Sequence, residues 1–131
     1  MFRSLICACL CLVASSSAAL AVDPECQGAS PFAMQACTDK LHAGADAKLN
    51  DIYKRLMPML DYATQGKLVT AERAWIAYRD AQCDYEAARR NGTADPAIES
   101  RSCQTELTNE RALMLRNQLL CAEGNQNCVN Q

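Results

Sequence analysis

From Cys37 to Leu60, apolar residues return at intervals of three and four: Cys37, Leu41, Ala45, Leu49, Ile52, Leu56 and Leu60. Only a helix puts such positions on one face. Ser30-Pro31 precedes the run as an N-cap followed by proline at the first helical position. The spacing predicts a first helix from about Pro31 to Tyr62, with Pro58 kinking or splitting it near Met57. Gly66 is expected to mark the turn before a second helix, Lys67 to Arg90. Asn91-Gly92 ends that helix, and Asp95-Pro96 repeats the cap-plus-proline start for a third helix reaching Leu120. Val and Ile are too sparse, and never alternate with polar residues, so no strand is expected. The fold class is all-α: a small antiparallel bundle of about three helices.

The first 21 residues fall outside this pattern. Met1 to Arg3 carry the only charge, an uncharged apolar run follows, and Ala19-Leu20-Ala21 supplies small residues at a peptidase site. This is the form of a cleaved secretory signal, too short for a membrane span with its flanks. Residues 22–131 then make a single domain. Cys7, Cys9 and Cys11 leave with the signal, so the nine cysteines fall to six: Cys26, Cys37, Cys83, Cys103, Cys121 and Cys128. Six in an exported chain read as three disulfides. Fifteen connectivities exist. Hairpin geometry favours Cys83–Cys103, each seven residues from the connection and so about 10 Å along its helix at 1.5 Å per residue. Cys26 can fold back onto Cys37, and Cys121 and Cys128 can close the AEGNQN loop.

The segment AERAWIAYRDAQCDYEA, Ala71 to Ala87, holds the single Trp and two of the four Tyr. At about 100° per residue, Ile76, Arg79, Cys83 and Ala87 form one stripe, expected to face the third helix. Trp75, Tyr78, Gln82 and Tyr85 form another, expected to face the first. In the third helix Cys103, Leu107, Glu110 and Met114 form one stripe and Thr108, Ala112, Leu115 and Leu119 a second. Arg79 and Arg111 fall between stripes and should point inward, where an unpaired charge costs several kcal/mol. Glu110 or Glu106 is the expected partner of Arg79, and Trp75 a stacking surface for Arg111. Asp46 and Asn50 are further candidates. Trp75, Tyr78, Arg79, Glu110 and Arg111 together make a polar knot inside the helical core.

Catalytic groups are scarce. His42 is the only histidine, which excludes multi-histidine metal sites. Paired cysteines leave no thiolate, no G-x-S-x-G surrounds a serine, and there is neither a P-loop nor a dinucleotide fingerprint. Asn91-Gly92-Thr93 is accounted for as a turn. No enzyme activity, cofactor or metal is expected. The formal net charge of -2 becomes -3 once Arg3 is removed, too mixed for nucleic-acid binding.

Several motifs taken in order carry a resemblance: C-x10-C from Cys26 to Cys37, Leu49-Asn50-x-x-Tyr53, Arg73-Ala74-Trp75-x-x-Tyr78-Arg79-Asp80-x-x-Cys83, C-x3-LTNERALML from Cys103, and LLCAEGNQNC. Together they resemble the lysozyme inhibitor LprI-like N-terminal domain, formerly a domain of unknown function, over essentially the whole chain from Cys26 to Cys128. The resemblance implies a bacterial, periplasmic or secreted, disulfide-bonded helical domain that binds a lysozyme and protects peptidoglycan. The alternative is a non-inhibitory envelope interaction or scaffold module. With no lipid-anchor cysteine after the signal, no stable membrane attachment is expected, and the chain reads as a monomer. Animal-type lysozymes are strongly basic, so an acidic face should steer the encounter. Asp80, Asp84 and Glu86, read as the outer side of the second helix, and Asp95 at the hairpin tip are the candidate partner-binding residues.

Overall fold

The structure, a computed structural model, describes residues 26, 28, 30–90 and 95–124. They form three helices: α1 (Pro31–Leu56), α2 (Tyr62–Arg89) and α3 (Pro96–Ala122), with one 3-10 turn, Met57–Met59, after α1. No strand occurs among the described residues. The signal segment, the Asn91-Gly92-Thr93 turn and Cys128, hence the expected Cys121–Cys128 bond, lie outside them.

Each helix begins on a side-chain cap. Ser30 Oγ accepts from the Ala33 N–H at 3.3 Å, Asp61 Oδ1 from the Thr64 N–H at 3.1 Å, and Asp95 Oδ1 from the Ala97 N–H at 2.9 Å. The Asp61 cap explains the main departure from expectation. Pro58 has no N–H to continue the α1 ladder, so the chain tightens into the 3-10 turn and Leu60 becomes extended. Gln65 then donates from Nε2 to the carbonyls of Met57 and Leu60, at 3.1 and 2.9 Å, satisfying groups that the broken ladder leaves open. The first helix therefore stops at Leu56, not Tyr62, and the second starts at Tyr62, not Lys67. Gly66 is not a stop but an interior residue of α2, with open space around its Cα.

The apolar core lies at the end of the bundle near the 3-10 turn. Leu49, Ile52 and Leu56 of α1 meet Ala112, Leu115 and Leu119 of α3, with Leu68 supplied by α2. Tyr53, Met57, Leu60 and Trp75 close over them. The stripe Thr108, Ala112, Leu115, Leu119 is buried as its spacing predicts. α1 and α3 form the most extensive interface; α2 packs on α3 and barely approaches α1. Tyr78 and Tyr85 consequently do not face α1. Each is 56% exposed, and Met114 at 45% also looks outward.

Away from that core, cross-links take over from apolar packing. Cys83–Cys103 joins α2 to α3, and Cys26–Cys37 ties the N-terminal arm to α1. Buried Glu99 pairs with Arg90 at 2.9 Å beside the α2–α3 connection. No helix among the described residues is long and apolar enough to cross a membrane.

Candidate functional site

Because α2 leans on α3 and away from α1, a cleft of about 320 Å³ opens between α1 and α2. Asp46, Leu49, Asn50 and Tyr53 line one side, and Glu72, Trp75, Ile76 and Arg79 the other. Its floor is the expected polar knot with different partners. The Arg79 side chain is 11% exposed. It donates from Nε to Asp80 Oδ1 at 2.9 Å, and from Nη1 to Thr108 Oγ1 at 3.2 Å and Asp46 Oδ1 at 3.4 Å. Arg111 donates through Nε and Nη2 to Glu72 Oε1. Both guanidinium groups lie over the Trp75 ring, 5.2 Å away for Arg79 and 5.9 Å for Arg111.

Arg79 therefore does not pair with Glu110 or Glu106. Both of those carboxylates are exposed on α3, because the α3 face that meets α1 is centred on Thr108 and Ala112, and Glu106 and Glu110 point away from it. Tyr78 leaves the knot for the same reason on α2. Asp46 is a partner of Arg79, whereas Glu72 was missed. Its signal was present: Glu72 lies seven residues before Arg79, two helical turns along the same face.

The knot extends along the bundle. Arg101 donates to Asp39 at 2.9 Å and to Gln104 at 3.0 Å, and Gln104 reaches Asp80 Oδ1 at 3.4 Å. At the α1 end, His42 Nδ1 stands 3.5 Å from Asp46. Nε2 of His42 is buried without a hydrogen-bond partner among the described residues. Burial pushes the His42 pKa below its ordinary value; Asp46 opposes the shift, and Arg101 and Arg79 reinforce it. The unfolded chain therefore takes up a proton below about pH 6.5 that the native state resists. Stability should be complete above that pH and fall as the medium acidifies through the native pKa. Urea titrations between pH 7 and pH 5 should show this decline, and His42→Gln should flatten it; an unchanged slope in that variant would assign the effect to other groups.

The four acidic candidates do not form one outer patch. Asp80 is held by Arg79 and Gln104, and Asp84 accepts from Ser100 Oγ at 3.3 Å, both on one side of the Cys83–Cys103 seam. Glu86 lies across it, accepting from Gln82 at 3.1 Å and lying 3.9 Å from Arg89. Asp95 is the α3 cap. On the Glu86 side, a second groove of about 430 Å³ runs between α2 and α3, lined by Tyr78, Gln82, Glu86 and Arg89 of α2, by Arg90 just after it, and by Glu106, Leu107 and Glu110 of α3. Among the described residues no cluster of His, Cys, Asp or Glu is placed to hold a metal ion.

The family model for the lysozyme inhibitor LprI matches residues 25–115, which takes in the caps, the Trp75–Arg79 knot and both described disulfides. The chain belongs to the LprI family. A relative from Rhizobium meliloti (strain 1021), the uncharacterized protein R02472, is 34% identical over 118 residues, covering 77% of this chain and 83% of its own. No solved structure matches. The family is described as a lysozyme inhibitor. Within this member Arg79 links α1, α2 and α3 through Asp46, Asp80 and Thr108.

Proposed function

We propose that this protein is an exported inhibitor that binds a lysozyme in the periplasm or outside the cell and so protects peptidoglycan. The observation that carries this reading is the match to the LprI family across residues 25–115. The architecture agrees with it. Cys26–Cys37 and Cys83–Cys103 suit an oxidising compartment. A cross-linked bundle also presents its surface in a fixed shape, which lowers the ordering cost of binding a rigid enzyme. Tyr78 and Tyr85 stand exposed on α2 instead of filling the core. Tyrosine at a surface supplies contact area with little rotamer entropy to lose, which favours an interaction protein over an inert scaffold.

The test is a turbidity assay on bacterial cell walls with purified oxidised protein in excess over enzyme, run against animal, phage and bacterial lysozymes. Clearing should slow with at least one of them, and the effect should be lost after reduction of the disulfides. Undiminished lysis by every enzyme type would overturn the reading and leave a non-inhibitory envelope module.

A further inference from the structure

On the outward side of the α2–α3 pair, an unpartnered apolar face adjoins a groove with Glu106 and Glu110 at one end and Arg89 and Arg90 at the other. Tyr78 of α2 and Leu113 and Met114 of α3 expose about half of their surface. Tyr78 lines the 430 Å³ groove, and Leu113 and Met114 lie one turn beyond Glu110 on α3. The arginines at the other end of the groove are engaged: Arg89 with Glu86 and the Tyr85 ring, Arg90 with Glu99. Glu106 and Glu110 have neither an ion-pair nor a hydrogen-bond partner among the described residues. They stand four residues apart on one helix, an arrangement that weakens the helix by mutual repulsion. Every other carboxylate reaching into the α2–α3 seam has an internal partner.

We infer that this groove is the docking face for a cationic protein, seating a lysine or arginine side chain between Glu106 and Glu110 against the Tyr78 ring. Two carboxylates and an aromatic face are complementary to such a cation by charge-assisted hydrogen bonding and by cation–π attraction. Leu113 and Met114 supply the apolar surface around it. The inference rests on the inhibitor reading, for which a strongly basic animal-type lysozyme is the partner of matching chemistry. The choice of face is separate from that reading: it selects Glu106 and Glu110, whereas Asp80 and Asp84 are engaged across the seam.

Calorimetric titration of the oxidised chain with a basic animal-type lysozyme, at low and moderate salt, tests it. Glu106→Gln/Glu110→Gln should weaken binding at least tenfold and reduce its salt dependence. Tyr78→Ala should weaken it as well. Asp51→Asn/Glu123→Gln removes the same charge around Arg55, away from the groove, and should leave Kd within about twofold of the parent. Circular dichroism of each variant confirms folding. Equal binding by the Glu106/Glu110 variant would overturn the face and leave the inhibitor reading standing. If the parent binds no lysozyme, the inhibitor reading fails, and hexa-arginine titrated into isotopically labelled protein decides the face. Shifts confined to Tyr78, Glu106 and Glu110 would uphold it as a cation receptor; dispersed or absent shifts would overturn it. Self-association abolished by Tyr78→Ala would assign the face to a second copy of the chain and likewise overturn the proposal.

Discussion

Glu72→Ala should cost this protein about 3–5 kcal/mol, because it strands a buried guanidinium. Arg111 and Glu72 are each only 13% exposed, and both Nε and Nη2 of Arg111 converge on one Glu72 oxygen. Arg111→Met should be comparably harmful, since it leaves the carboxylate beside Trp75 without its partner. Native domains hold only about 5–15 kcal/mol in all, so either change removes a large share of the stability. The pair itself is worth much less than its disruption suggests. Replacing both partners with apolar residues of similar volume is often neutral or stabilising. Glu72→Leu/Arg111→Met should therefore lose less than either single variant. Urea denaturation of the three variants and the parent closes the cycle. Additive losses would mean that the two side chains act independently. The Arg55–Glu123 pair is a useful contrast: it is also hydrogen-bonded, at 3.0 Å, yet its side chains are 56% and 38% exposed. Breaking it should change stability by about 0–1 kcal/mol.

The same pair shows where sequence reading stops. Helix periodicity identified the inward arginines, because Arg79 and Arg111 each fall between two apolar stripes. It could not identify their partners, which depend on how three helices are arranged. A reading that packed α2 equally on α1 and α3 sent Trp75, Tyr78 and Tyr85 toward α1. In the structure α2 leans on α3, so Trp75 sits at the cleft and both tyrosines reach solvent. Packing α2 on α3 alone thus leaves expected core aromatics at the surface. Glu110, the expected ion-pair partner, is exposed on α3 instead. The caps Ser30 and Asp95 and the prolines after them were legible because their chemistry is local. Asp61 was overlooked because Gly66 looked like a stronger punctuation mark, yet nothing in the surroundings of Gly66 requires glycine.

The acidic candidates failed as a patch for a related reason. Asp80, Asp84 and Glu86 are neighbours in sequence, but at about 100° per residue Glu86 projects to the opposite side of Cys83 from Asp80 and Asp84. Each is also engaged within the bundle: Asp80 by Arg79, Asp84 by the Ser100 hydroxyl, and Glu86 by Gln82 and Arg89. A carboxylate available to a partner is one left over after internal pairing. Composition cannot reveal that, whereas the structure leaves Glu106 and Glu110 in that position.

Removing the Cys83–Cys103 bond with Cys83→Ala/Cys103→Ala should lower stability by about 3 kcal/mol, the chain-entropy expectation for its 20-residue separation. The position of the bond makes the loss regional. α2 supplies Leu68 to the apolar core at one end, but toward Arg89 its buried residues are only Cys83 and Ala87. There the disulfide and the Arg90–Glu99 pair replace apolar packing. Without the bond, amide exchange should accelerate most between residues 80 and 90, while α1 and the second half of α3 change less. Cys26→Ala/Cys37→Ala opens a separation of 11 and should cost a similar entropy, within about 1 kcal/mol by the same relation. Its effect should instead concentrate at the start of α1, since Cys26 belongs to an arm outside the Leu49–Leu115 core. Hydrogen exchange read residue by residue separates the two variants where a melting temperature alone would not. Uniform acceleration across all three helices in the Cys83/Cys103 variant would mean that the bundle unfolds only as a whole, with no weaker half for the disulfide to hold.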